Sequence, residues 1–146
     1  MSIRMSPARA GTRFARRVYL LAGITGLIEL LPLYFGEPAL NRTQPPPLTH
    51  PEFYYGFLGV ALAWQVAFVI ISRDPARFRP LLPALWMEKL LYPAAAFVLL
   101  LRGRCSPVSM VPALLDLVWL ALFAAAGVKL SRDDLGLVGY RNRIYS

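Results

Sequence analysis

Residues 81–101 read LLPALWMEKLLYPAAAFVLLL, an apolar run interrupted in its middle by Glu88 and Lys89. At 1.5 Å per residue, a helix of this length crosses a hydrocarbon core of about 30 Å. A surface helix of a soluble bundle needs a polar stripe, whereas Ala94 to Leu101 is apolar all round. Three other runs share this character: Val18 to Phe35, Tyr55 to Ser72 and Val108 to Val128. Within the second, Ala61 to Ile71 departs from apolar only at Gln65. The sequence predicts an all-α integral membrane four-helix bundle, with spans at about 18–35, 55–72, 81–101 and 108–128 inside a membrane domain of 18–130.

Composition agrees with that reading. Of 146 residues, 57% are hydrophobic and only 16% charged, against roughly 25% charged in ordinary soluble domains. Too few charges remain to wet a small soluble fold, and the apolar content excludes a disordered chain. The length allows one domain.

The net charge of +8 is distributed unevenly. A basic arm, 1–17, carries Arg4, Arg9, Arg13, Arg16 and Arg17; the loop after span two carries Arg73, Arg77 and Arg79; the tail side, including 131–146, carries Lys129, Arg132, Arg141 and Arg143. The opposite side has Arg42, Arg102 and Arg104. The positive-inside bias then places both termini in the cytoplasm of a cell with this protein in its inner (plasma) membrane. A partner of anionic lipid headgroups accounts for the basic residues, and nucleic acid is not expected, since they flank spans without zinc-finger spacing or a basic recognition helix. The first run is read as an uncleaved anchor, because Glu29 and Pro32 interrupt it and no small-x-small site follows; an arginine-rich mitochondrial presequence is the alternative. Pro7 and Gly11 argue against a long regular helix in the arm.

The longest connection, Gly36 to Tyr54, holds Pro38, Pro45-Pro46-Pro47 and His50-Pro51 and is expected to be extended near the prolines. Phe53, Tyr54 and Tyr55 follow as an interface anchor, or with His50 as the mouth of a site. In the next loop, Asp74-Pro75 reads as a helix start, and Arg73, Arg77 and Arg79 either shape the turn or hold an anionic headgroup. One cysteine, Cys105, and one histidine leave no intrachain disulfide, no thiolate or histidine metal cage and no expected cofactor. Motifs for phosphate loops, nucleophile elbows and dinucleotide folds are absent.

Polar residues inside the spans remain: Glu29, Gln65, Glu88, Lys89 and Asp116. A central acid or lysine costs roughly 2.5–3.5 kcal/mol on insertion, while each Leu, Ile, Val or Phe returns about 0.3–0.6. Span three has ten such residues, a gain of about 3–6 kcal/mol comparable to the cost of Glu88 and Lys89. Counting along the spans puts Glu29 and Asp116 in the outer half, Gln65 near the midplane and Glu88 in the inner half, a polar ladder. Lys89 is expected to snorkel to the headgroups, leaving Glu88 inward with Tyr92 one turn away. Trp119 and Phe123 flank Asp116, and Trp64 lies beside Gln65. Burial is expected to keep at least one of the three carboxyls neutral at pH 7. These groups are either helix glue or a ligand or proton site. Gly59, Ala63 and Ala67 offer a small-residue face for close helix contact, and Pro32, Pro93 and Pro112 each free a carbonyl.

The four-span order, Gly56-Phe57 opening span two and Asp116 in span four resemble the small bacterial membrane proteins grouped as DoxX-like, some of them linked to oxidoreductase partners. A more distant similarity is to the four-helix emopamil-binding and sigma-2-receptor group. That resemblance implies a cavity for sterol-like molecules, with Glu29, Glu88, Asp116 and Trp64 in its wall. Three functions follow as expectations. The first is binding of a lipid, quinone, sterol-like molecule or amphipathic amine; the second is a non-catalytic subunit of a membrane complex, or a homo-oligomer; the third is acid-base chemistry on a lipid.

Overall fold

The computed structural model describes residues 10–43 and 46–144, without the side chains of 134 and 136–144. Arg4 and Arg9 of the basic arm and Pro45 of the proline run lie outside the described residues, as do the side chains of Arg141 and Arg143. All regular structure among the described residues is helical: α1 (Ala10–Leu33), α2 (Glu37–Thr43), α3 (Pro51–Arg73), α4 (Leu82–Leu101) and α5 (Met110–Ile144), with 3₁₀ turns at Arg79–Leu81 and Pro107–Ser109.

Three segments are long and apolar enough to cross a membrane: Pro51–Arg73, Arg79–Leu101 and Pro107–Asp133. Only 22–28% of these spans is buried within the chain, so most of their apolar surface is left for lipid or a partner. α1 passes the same test only together with α2, from which it is bent by 76°. The cause lies in its composition, since Arg13, Arg16, Arg17 and Glu29 leave too short an uncharged stretch before the chain turns at Gly36. Among the described residues the chain thus has three helices long and apolar enough to cross a membrane, or four if this bent pair is one.

The chain divides into two compact units, residues 19–73 and residues 1–18 with 74–146. In the first, α1 lies against α3. A Cβ at Gly23 would sit 2.7 Å from the Gln65 backbone oxygen and from Val69, and one at Gly26 would collide with the Gln65 side chain. Close approach therefore rests on the glycines of α1 rather than on the expected Gly59, Ala63 and Ala67 face of α3. A Cβ at Gly56 or Gly59 meets nothing within 4 Å.

The long first loop also differs from the extended segment expected. Glu37 followed by Pro38 starts α2, the acid favourable in the first turn and the proline where no amide partner is needed. Asn41 then accepts from the Leu48 amide at 2.8 Å, and α3 begins at Pro51, ahead of the aromatic cluster.

In the second unit, α4 and α5 form an antiparallel hairpin. α4 ends where Gly103 takes φ 64°, with Gly103 N–H donating to Leu100 O and Arg104 N–H to Leu99 O, the paired bonds of a Schellman cap. The next helix is announced by Ser106-Pro107, whose Ser106 hydroxyl accepts from the Val108 amide. Asp74-Pro75 does not start α4. The Asp74 carboxylate accepts from the Arg77 amide at 3.3 Å and closes a local turn, and α4 begins only at Leu82, beyond Pro80. Helix also reaches back into the arm to Ala10, where Gly11 serves close packing on α5: a Cβ there would lie 2.5 Å from Lys129 O.

Gly23→Leu is expected to destabilise the protein by about 1–3 kcal/mol through overpacking against the α3 backbone. Gly59→Leu, with open space, should stay within about 0.5 kcal/mol of wild type. Unfolding in mild detergent micelles compares them, and equal losses would contradict this packing.

Candidate functional site

The hairpin of α4 and α5 joins three ionisable side chains inside two apolar helices. Lys89 Nζ lies 3.0 Å from Asp116 Oδ1 and donates to it, and donates at 3.3 Å to Glu88 Oε1. Glu88 Oε2 is 3.2 Å from the same nitrogen but buried without a hydrogen bond. The Lys89 side chain is 7% exposed, Glu88 15% with its Oε2 buried, and Asp116 22%, so Asp116 is the most approachable of the three.

Lys89 is thus bonded within the hairpin, to Glu88 and Asp116, where its long aliphatic stem suggested a reach to the headgroups. An isolated buried ammonium is expensive, but a carboxylate delivered from the facing helix at hydrogen-bond distance offsets that cost. Consecutive residues point about 100° apart, yet the lysine stem is long enough to fold its head back onto Glu88. The expected ladder changes as well. Hairpin register, set by pairs such as Tyr92 Oη to Ser109 O at 3.3 Å, brings Asp116 to the level of Lys89.

The other expected site residues are elsewhere. Tyr92 is half-buried and bound to Ser109, and Trp119 is half-buried with its ring 6.4 Å from that of buried Phe123. Glu29 and Gln65 belong to the first unit. Glu29 is exposed on α1 rather than buried. Gln65 is 3% exposed, and its amide donates to Ala61 O of its own helix at 3.1 Å while its side-chain oxygen faces Gly26. Trp64 stacks at a tilt on Phe68 and, with Val60, Ala63 and Ala67, lines a shallow open apolar groove on α3.

The aromatic cluster does more than anchor. Tyr54 Oη donates to Leu33 O at 2.6 Å, and Tyr55 Oη to Glu37 Oε2 at 2.8 Å, so both tyrosines staple the bend between α1 and α2 to the start of α3. Tyr34 adds its ring at 5.3 Å from Tyr55. Phe53 is 73% exposed and edges onto His50, whose Nδ1 is 3.2 Å from Glu52 Oε1. Arg73 is exposed at the end of α3, Arg77 lies over the Phe78 ring and Arg79 is half-buried. Cys105 Sγ donates to Ala96 O at 3.6 Å.

One contact was not foreseen. Asp133, only 8% exposed, accepts from both the amide (2.9 Å) and the hydroxyl (3.2 Å) of Thr12, tying the start of α1 to the far part of α5. Its only sequence signal is an acid placed beyond the last apolar run. No partner could be assigned across so long a separation.

Chemically, the triad sets two carboxylates against one ammonium. With all three ionised it carries one negative charge in excess, which a proton, a ligand cation or a ligand hydrogen-bond donor would balance. Both carboxylates face the lysine, which hinders either from acting as a free general base. Among the described residues, no group of three or more His, Cys, Asp or Glu side chains is placed to hold a metal. No protein-family description, curated protein or solved structure matches the chain.

If Lys89 and Asp116 act as a pair, a cycle of Lys89→Met and Asp116→Leu should show coupling of about 1–3 kcal/mol, the double variant being more stable than the summed losses predict. Unfolding in micelles measures it. Strictly additive losses would show that the two groups act independently.

Proposed function

We propose that this is a small multi-pass inner-membrane protein with four spans and both termini cytoplasmic, which binds a hydrophobic or amphipathic small molecule through the Glu88–Lys89–Asp116 triad. The observation that carries this reading is the imbalance of the triad. A purely structural ion pair needs one acid per base, whereas here a second carboxylate sits beside the ammonium and the Asp116 side chain remains 22% exposed. The ligand's polar group would meet the carboxylate side, and its apolar body would lie among spans whose surface is mostly unburied. A lipid, a quinone, a sterol-like molecule or an amphipathic amine fits that division. The likeness to DoxX-like proteins belongs to this proposal and rests on span order with Gly56-Phe57 and Asp116.

A second reading, a non-catalytic subunit of a membrane complex, is favoured by the open face of α3. A Cβ at Gly56 or Gly59 meets nothing within 4 Å among the described residues, and Val60, Ala63, Trp64 and Ala67 line a shallow open apolar groove. An isomerase-type reaction on a lipid is the least favoured, because Lys89 already engages both acids.

Native mass spectrometry with solvent extraction of the purified protein separates the first two. A discrete copurifying molecule that disappears in Glu88→Gln and in Asp116→Asn, with helicity retained, is the expected result. Wild-type protein carrying only bulk lipid, or both variants keeping the molecule, would overturn the ligand reading; a stoichiometric protein partner would support the second.

A further inference from the structure

Of the two apolar runs in the second unit, the earlier is the weaker by composition. Leu81 to Leu101 sets ten Leu, Val and Phe residues against two charged ones, Glu88 and Lys89, whereas Val108 to Val128 sets ten against Asp116 alone. On transfer scales the first sum is close to balance and the second favours entry into hydrocarbon. Glu88 and Lys89 lie about two turns from the start of α4, too far in for the first turn of the helix to carry their cost.

The structure gives the weaker helix a companion along most of its length. Lys89 Nζ donates to Asp116 Oδ1 at 3.0 Å, and Tyr92 Oη donates to Ser109 O at 3.3 Å. Toward the start of α4, a Cβ on Gly127 would lie 3.1 Å from the Trp86 ring and 3.5 Å from Leu82. These contacts close over short stretches of chain, 27 residues between Lys89 and Asp116 and 17 between Tyr92 and Ser109, so the entropy of closing them is small. The turn itself is set by local signals, Gly103 at φ 64° and the Ser106 hydroxyl. At a synthesis rate of roughly 5–20 residues per second, Asp116 follows Lys89 out of the ribosome within about 1–5 s.

We propose that α4 enters the membrane together with α5, as a hairpin in which the Lys89 ammonium is already bonded to Asp116, so that Asp116 is required for the entry of the helix before its own. The proposal rests on the four-span topology above and not on the small-molecule reading. Its signature is one of sign. Replacing an acid within an apolar run by leucine makes α5 more hydrophobic, and on composition alone that change favours insertion. With pairing, Asp116→Leu instead strips Lys89 of the counter-charge on the facing helix, and α4 is the helix that fails to enter. Glu88 does not replace that counter-charge, because it travels on the same helix as Lys89 and adds its own cost.

The turn between the two helices reports their entry. Arg104 is exposed there and Cys105 is the single cysteine of the chain. Arg104→Cys in a Cys105→Ser background of the full-length protein therefore offers one thiol to a membrane-impermeant maleimide, added to bacterial spheroplasts before or after lysis. The ratio of labelling before lysis to labelling after it, measured on freshly pulse-labelled chains before non-inserted protein is degraded, gives the fraction of turns on the outer side. Nearly complete labelling is expected in this parent protein. Asp116→Leu should lower the ratio on the order of twofold or more, Asp116→Glu, which keeps the counter-charge, should stay close to the parent, and Lys89→Leu combined with Asp116→Leu should restore it. An unchanged or higher ratio in Asp116→Leu, equal falls in Asp116→Leu and Asp116→Glu, or a double variant as poor as Asp116→Leu would overturn the proposal while leaving the topology intact. A parent protein labelled only after lysis would overturn the topology and the proposal with it.

Discussion

An ammonium placed among apolar side chains at the middle of an apolar helix is costly without a counter-charge at hydrogen-bond distance, and Lys89 has Asp116 at 3.0 Å. Much of the second unit is arranged around this requirement. Asp116 must come from the helix that faces α4, so the connection has to be short and antiparallel. The Gly103 cap and the Ser106 turn provide it, reversing the chain between Leu101 and Met110. Close packing along the hairpin continues to Gly127, where a Cβ would lie 3.1 Å from the Trp86 ring. Insertion cost, hairpin register and loop chemistry are thus parts of one constraint.

The first unit meets a different constraint. Its helices enclose the uncharged Gln65, and its α1 segment is too charged for the membrane test by itself. Backbone proximity takes the place of charge: Gly23 and Gly26 bring α1 onto α3, and the Gln65 amide is satisfied by its own helix at Ala61. At the bend, Tyr54 and Tyr55 satisfy a helix-end carbonyl and the Glu37 carboxylate. The Leu33 carbonyl, which also accepts from the Gly36 amide at 2.9 Å, thereby gains a second donor where the regular backbone ladder stops.

The helical class and the apolar runs were legible because hydropathy over some 20 residues is a local property of the chain. Spans two, three and four coincide closely with α3, α4 and the apolar part of α5. Partner choice was not legible. Lys89 was expected among the headgroups because snorkelling needs only its own stem, whereas the ion pair needs the register of a second helix. Glu29 was expected inside because it lies in an apolar run, but which side of a helix is covered depends on its neighbours. Gly11 read as a helix breaker on propensity, and its use is tertiary, allowing α1 to touch the α5 backbone. Asp74-Pro75 carried a correct capping signal for a turn, and the prolines after it delayed the helix.

The central claim is that Lys89 is held by Glu88 and Asp116 within the α4–α5 hairpin. Magic-angle-spinning NMR of the protein in bilayers, with ¹⁵N-labelled lysine and ¹³C-labelled aspartate, tests it through nitrogen–carbon dipolar recoupling. Only two lysines exist, Lys89 and Lys129, so the Lys89 Nζ resonance is assignable by comparison with Lys129→Arg. A strong coupling to one aspartate side-chain carboxyl, consistent with the 3.0 Å Nζ–Oδ1 separation and lost in Asp116→Asn, is the predicted result. A Lys89 nitrogen with no carboxyl coupling and a contact to lipid phosphorus instead would contradict the account.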